Sequence, residues 1–349
     1  LPTYPTLNSN LDIDVAIVGA GYCGLSAAIE LAQQGRKVAL IEGARVGWGA
    51  SGRNGGQILG DYKYSYDEFA DMYGTDAAKA FAAMSEEGKQ IIHQRAAQFD
   101  IDIDYQQGHI FLASYKPHMA YIDHVISEGE KWGYAHERRF IGANDLPDYV
   151  GSDKYLAGVL DQGHGHMHPL KLAVGEARAA EQLGVKLFEQ THVQSIMGGD
   201  KPRLITDGGV ITANQVLLTG NCYLGNTAPK LARKIMPAGT YMIATEPLSD
   251  ELAAQLIPQN HAFCDMRNIL DYFRLSADNR MLFGGKVIYS GKDPRDIGKA
   301  MLKDLAKVFK PLADVRIDYA WGGYIDLAVN RSPHLGEYQP NVYYAQGLS

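Results

Sequence analysis

Cysteine is scarce in this chain, and chemistry that depends on pairs of it is missing. The 349 residues include three cysteines, Cys23, Cys222 and Cys264, odd in number and widely scattered. No disulfide scaffold can be built from them, and such usage fits a reducing cytoplasm. A C-x-x-x-x-C pair is absent, which argues against a disulfide reductase. Positive charge is also short, with 33 Lys+Arg against 40 Asp+Glu and a net charge of −7. A phosphate backbone would be repelled, so no nucleic-acid partner is expected. No basic run marks a membrane-surface helix. No apolar run reaches the ~20 residues that a membrane span needs. A G-x-S-x-G elbow is missing, which leaves hydrolase chemistry without an evident nucleophile. Internal repeats and low-complexity tracts are absent as well. What remains, 46% hydrophobic and 21% charged, is ordinary globular composition. The length suffices for two lobes, since single cores stop growing near ~250–300 residues.

Glycine, in contrast, is placed with purpose. DVAIVGAGYCGLSAAIELAQQGRKVALIE (14–42) reads as strand, glycine turn, helix and strand, with Gly19, Gly21 and Gly24 in G-x-G-x-x-G spacing. Gly19 makes the tight turn, Gly21 lets backbone approach a pyrophosphate, and Gly24 lets helix pack on strand. The helix N-terminus offers unpaired N–H groups and partial positive charge to phosphates. Glu42, 18 residues after Gly24, ends the second strand and is placed to accept from ribose hydroxyls. A dinucleotide site is expected. A second small-residue stretch, GWGASGRNGGQ (47–57), follows directly. An NAD enzyme needs none there, whereas a longer cofactor would run along it. Apart from Gly47, Gly49 and Gly52 within that stretch, no further G-x-G-x-x-G is present to bind NADPH.

RVGWGASGRNGGQI resembles the D-amino-acid-oxidase-like family of FAD oxidoreductases, which includes glycine and sarcosine oxidases, and within it the γ-glutamylputrescine oxidase branch. GHGHMHPLKL (163–172), THVQSI (191–196), VLLTGN (216–221) and WGGYIDLAVNRSPHLG (321–336) extend the resemblance along nearly the whole chain. It implies FAD as cofactor, with Ala50, Ser51 and Gly52 at the pyrophosphate and ribityl chain. Asn54, Gly55, Gly56 and Gln57 would line the isoalloxazine edge. Val193, Gly220 and Asn221 are further cofactor-binding candidates on the same ground. The family continues past a strand like NVYYAQGLS into a turn and a helix near the flavin. With Leu1 at the start, both ends are therefore expected to be cut.

The implied fold is α/β: a Rossmann-type FAD lobe interleaved with a mainly antiparallel β substrate lobe. Residues 1–74, 150–225 and 326–349 are assigned to the first, and 75–149 and 226–325 to the second. Helical periodicity marks 75–99, 117–133, 169–183 and 294–312. A strand at 105–113 and one near 158–168 leading to the cofactor lobe are expected, then short strands at 185–196, 203–206 and 210–218. The stretch 235–325 reads as β-rich.

Alternating His164, His166 and His168 would share one face of a strand. No Cys, Asp or Glu completes a ligand set, so no metal is expected. Arg331 is read equally as a flavin or substrate contact and as an ion-pairing loop residue. Lys286 is read as a solvated lysine. By the resemblance, Tyr272 and Tyr324 line the substrate pocket. Amino-acid oxidases of this fold carry a carboxylate-binding arginine just after W-x-G, and here Ile325 stands in that place. An amine substrate is thus favoured over an α-amino acid. The expected reaction is hydride transfer from an amine to flavin, giving an imine and then an aldehyde, with O₂ or another acceptor. Sarcosine, glycine and D-amino-acid oxidation, and a non-catalytic flavoprotein fragment, stay open at this point, as does the oligomeric state.

Overall fold

The structure is a computed structural model that describes residues 2–60, 62–289 and 293–348. Its first sheet grows from the strand Leu11–Val18. Val38–Ile41 and Gly209–Leu218 flank it in parallel, Lys186–Phe188 extends one side, and Val342–Gln346 the other. All four residues of Val38–Ile41 are buried, as expected for a parallel strand covered on both faces. The helices Tyr22–Gln33 and Pro169–Gln182 cover one face, packing Leu25, Ile29, Ala173 and Ala177 on Ile17 and Leu40. The long loop-helix order thus folds as the α/β layer that the glycine turn announces.

The second sheet is antiparallel except where Ala262–Asp265 lies parallel to Gln106–Ala113. Its strands Ile235–Pro247, Tyr272–Leu275, Arg280–Ile288 and Ile317–Ala328 come from the β-rich stretch. Phe263, Phe273, Phe283 and Phe309 stack into its core with Tyr241. The helix Ile297–Val308, capped by Asp296 accepting from the Lys299 N–H, contributes Met301 and Leu305 to the same core.

Ala157–His166 corrects its expected place. It was assigned to the cofactor lobe, yet it pairs with Gln106–Ala113, Arg138–Ile141 and Gln57–Ile58 in the second sheet. Eight of its ten residues are buried, so its pattern does not tell which sheet owns it; partners far off in sequence decide. Four short helices were not anticipated, Ala50–Arg53 and Pro229–Ala232 among them. Tyr66–Tyr73 begins with a capping box of Ser65 and Glu68, and Asp250–Leu256 is capped by Ser249. The helix Thr75–Gln98 docks on the first lobe through Arg95, which bonds Glu176 (3.1 Å), Ser26 (2.8 Å) and Glu30 (2.8 Å). Among the described residues no helix is long and apolar enough to cross a membrane.

Candidate functional site

The glycine turn joins the strand Leu11–Val18 to the helix Tyr22–Gln33. Gly19 has φ +110°, a left-handed conformation that side chains resist. A Cβ on Gly24 would lie 1.9 Å from the Gly19 carbonyl oxygen, so only glycine permits this helix–strand approach. Gly21 occupies the N-cap without a side-chain cap, and the Tyr22 N–H donates to Ser51 Oγ at 3.0 Å. Glu42 accepts from the backbone N–H groups of Ala20 and Ala44, both at 2.8 Å. Burial pushes its pKa up while those two N–H groups pull it down. Gly220 and Asn221 follow the neighbouring strand Gly209–Leu218, beside the turn. Val193 begins the strand Val193–Met197, and its carbonyl accepts from Thr227 Oγ1 at 3.1 Å.

The second small-residue stretch forms the short helix Ala50–Arg53, Gly52 included, and a tight loop. Asn54 ties that loop to itself: Nδ2 donates to the Ala50 and Ser51 carbonyls, and Oδ1 accepts from the Gly56 N–H at 2.8 Å. Gly56 has φ +82°, and a Cβ there would stand 2.1 Å from the Met167 carbonyl oxygen. Gln57 opens the strand that pairs with His166, and its Nε2 is buried without a hydrogen-bond partner. A buried, unused donor at the end of a glycine loop is what a polar cofactor edge would satisfy.

One row crosses the second sheet opposite this loop. Tyr272 pairs with Gly284, Gly284 with Met242, and Met242 with Trp321. The Tyr272 ring leans over Gly284 toward Met242 and packs against Gly55. Trp321 Nε1 donates to the Arg53 carbonyl at 2.9 Å, and Arg53 returns a bond to the Gly322 carbonyl at 2.9 Å. Strand alternation puts Gly323 and Ile325 on the same face as Trp321. Tyr324 falls on the opposite face, which it shares with Tyr241, so the structure does not bring it to this row. That corrects its reading as a pocket wall. Tyr272 lies in this row, and burial raises its phenol pKa.

Met242 and Trp321 of this row were missed as site residues, and so were two arginines. Arg53 stacks its guanidinium 4.5 Å from the Trp48 ring centroid and bonds both lobes. Arg274 donates to the Gly55 carbonyl from beneath the loop at 2.6 Å. Its spacing of two from Tyr272 was a readable sign that both face the same way. Lys286 is not simply solvated: it pairs with Asp304 at 2.6 Å. Arg331 is exposed with φ +55° and pairs with no carboxylate among the described residues.

The three histidines have separate tasks. His164 Nε2 accepts from the Gly60 N–H at 3.0 Å, His166 Nε2 bonds the Asn260 carbonyl at 2.8 Å, and His168 caps the helix Pro169–Gln182. His168 therefore lies beyond the strand rather than on its face. Because His166 Nε2 must donate, the proton-free Nδ1 is the buried nitrogen without a partner. Burial lowers its pKa to about 4, with Arg274 adding to the effect. A depressed histidine contributes stability that is full above the unfolded pKa of ~6.5 and is lost as pH falls toward the folded value. We expect about 3 kcal/mol to be lost across that window. His166→Gln should flatten the pH dependence of the urea midpoint between pH 4 and 6.5; an unchanged slope would refute it.

With this geometry in place, likeness to known proteins decides the family. A family profile described as "DAO: FAD dependent oxidoreductase" matches residues 14–349. The chain belongs to this family of FAD-dependent oxidoreductases. It is 40% identical over 347 residues to gamma-glutamylputrescine oxidoreductase of Escherichia coli K12, covering 99% of this chain and 81% of that protein. It is 38% identical to a probable oxidoreductase, OrdL, of Haemophilus influenzae, over 99% of this chain and 80% of that one. Glycine oxidase from Geobacillus kaustophilus shares the fold at TM-score 0.80 and 21% identity, covering 97% and 89% of the two chains. The family enzyme uses FAD, and the glycine turn, the Gly56 cradle and the orphaned Gln57 Nε2 fit that cofactor.

Proposed function

We propose that this family member oxidises the C–N bond of an amine, of the γ-glutamylputrescine class, to an imine that water converts to an aldehyde. The observation that carries this reading is Ile325: the position where amino-acid oxidases hold a carboxylate with arginine presents an apolar side chain on the loop-facing side of the sheet. The likeness to a gamma-glutamylputrescine oxidoreductase supports the same class. Bound FAD supplies the two-electron acceptor for a hydride from the α-carbon. The chain's work is placement. Gly19, Gly21, Gly24 and Glu42 would hold the dinucleotide end, Ala50, Ser51 and Gly52 the middle, and Asn54 to Gln57 the ring edge, with Val193, Gly220 and Asn221 alongside.

Tyr272 and Met242 would wall the substrate against the loop, with Trp321 beside them. Near-attack geometry requires the C–H within ~3–3.5 Å of its acceptor atom. The amine must arrive neutral, its proton given to solvent, since the side chains of this row include no carboxylate or imidazole. The two electrons would then pass to O₂, with two protons, to form hydrogen peroxide, or to another acceptor. Three free cysteines fit a cytoplasmic site of action.

Anaerobic reduction of the purified flavoprotein tests the substrate class. We expect an N-acylated diamine to bleach the flavin at least tenfold faster than glycine, sarcosine or any D-amino acid. Faster reduction by a free α-amino acid would overturn the substrate class and leave the cofactor untouched. No reduction by any amine would favour a non-catalytic flavoprotein.

A further inference from the structure

Arg274 sits where charge is costly. The residue is 4% exposed, and its guanidinium donates to the carbonyls of Gly55 (2.6 Å), Met167 (2.8 Å) and Leu275 (3.0 Å). All three acceptors are neutral, and no carboxylate among the described residues pairs with it. Desolvation pulls its pKa down to about 10, which leaves it charged at neutral pH. A buried cation whose direct contacts are all dipoles, with Asp104 attracting it only from beyond contact and His166 and His168 nearby, is less favourable than an apolar side chain of the same shape, unless something else uses the charge. It lies directly behind the loop: a Cβ on Gly56 would come within 2.9 Å of Nη2.

We infer that Arg274 is a positioning residue that fixes a positive charge behind the Asn54–Gln57 loop and thereby stabilises the reduced form of FAD. A hydride brings two electrons and one proton, so the cofactor becomes one unit more negative than before. A desolvated cation that cannot move away acts strongly on charge that appears nearby. Arginine suits this place because its proton is retained where a buried lysine would lose it. The inference rests on the loop lying at the ring edge and is independent of which amine is oxidised.

The test needs no amine. Holoenzyme, Arg274→Met and Arg274→Lys are each reduced in equilibrium with a redox dye. In Arg274→Met at pH 7 the two-electron reduction equilibrium constant should fall at least tenfold, about 30 mV for this couple. Arg274→Lys should stay near the parent at pH 6 and show an extra proton-linked decline by pH 9 that the parent lacks. An Arg274→Met constant within twofold of the parent would overturn the inference. Loss of FAD from both variants would also overturn it, because Arg274 would then be scaffold alone. Gln57→Leu separates charge from placement. Flavin bands that shift there, beside an unchanged Arg274→Met constant, refute the charge role by itself. Bands that do not shift refute the loop's placement and the inference together.

Discussion

A Gly21→Val variant should purify without FAD. The helix Tyr22–Gln33 has no side-chain cap at its start, and its first N–H groups have no intrahelical acceptors. Those groups and the partial positive charge behind them are what a pyrophosphate would bind. A Cβ on Gly21 would stand 2.8 Å from Ser51 Oγ, the atom that accepts from the Tyr22 N–H. Valine adds two further methyl groups at the same point, displacing Ser51 and occupying the approach of the phosphates. We expect FAD affinity to fall by roughly 100-fold or more, about 3 kcal/mol. Gly21→Ala, with one methyl and a movable hydroxyl to meet, should lose much less. Flavin absorbance after gel filtration and calorimetric titration of the apoprotein measure both. Stoichiometric FAD in Gly21→Val would remove the turn from the cofactor site.

Arg95→Met should cost about 3–5 kcal/mol of folding free energy. Arg95 and Glu176 have side chains 6% and 4% exposed, and their 3.1 Å contact joins the helix Thr75–Gln98 to Pro169–Gln182. Burial already raises the Glu176 pKa, with Arg95 the main influence pulling it down. Its Oε2 is buried without a hydrogen-bond partner, so no second donor stands ready. Deleting Arg95 therefore strands a desolvated carboxylate. Arg95→Met combined with Glu176→Leu removes both charges and should recover most of the loss, because paired deletion leaves nothing uncompensated. Denaturant midpoints at constant m-value report the difference. A single-variant loss under 1 kcal/mol would show that water or another group solvates Glu176.

What could be read in the sequence was local. Gly19, Gly21 and Gly24 act within one strand–turn–helix unit, so spacing alone reveals them, and the steric test at Gly24 bears out the reason. Ile325 was readable because it stands four residues after Trp321 in a short motif. Tyr324 was misplaced although the remedy was equally local: period-two alternation puts it on the other face from Trp321 and Ile325. Ser65 and Glu68 carried an ordinary capping-box signal that went unread. Arg274 was hidden for a different reason. Its acceptors Gly55 and Met167 lie 219 and 107 residues away, a pairing that only the folded chain reveals. Ala157–His166 was hidden likewise, since burial on nearly every residue suits either sheet.

Gln57 and Ile58 hydrogen-bond to His166 and Gly165 as a short antiparallel ladder. The loop that begins beside the glycine turn thus ends inside the second sheet, and Arg274 and Arg53 fasten it again on either side. Swinging the lobes apart as rigid bodies would break that ladder and both arginine contacts at once. Substrate entry and product exit must then use local movement of side chains and surface loops, not a hinge between halves. Mutations that loosen these ties should therefore let water into the site before they speed passage through it.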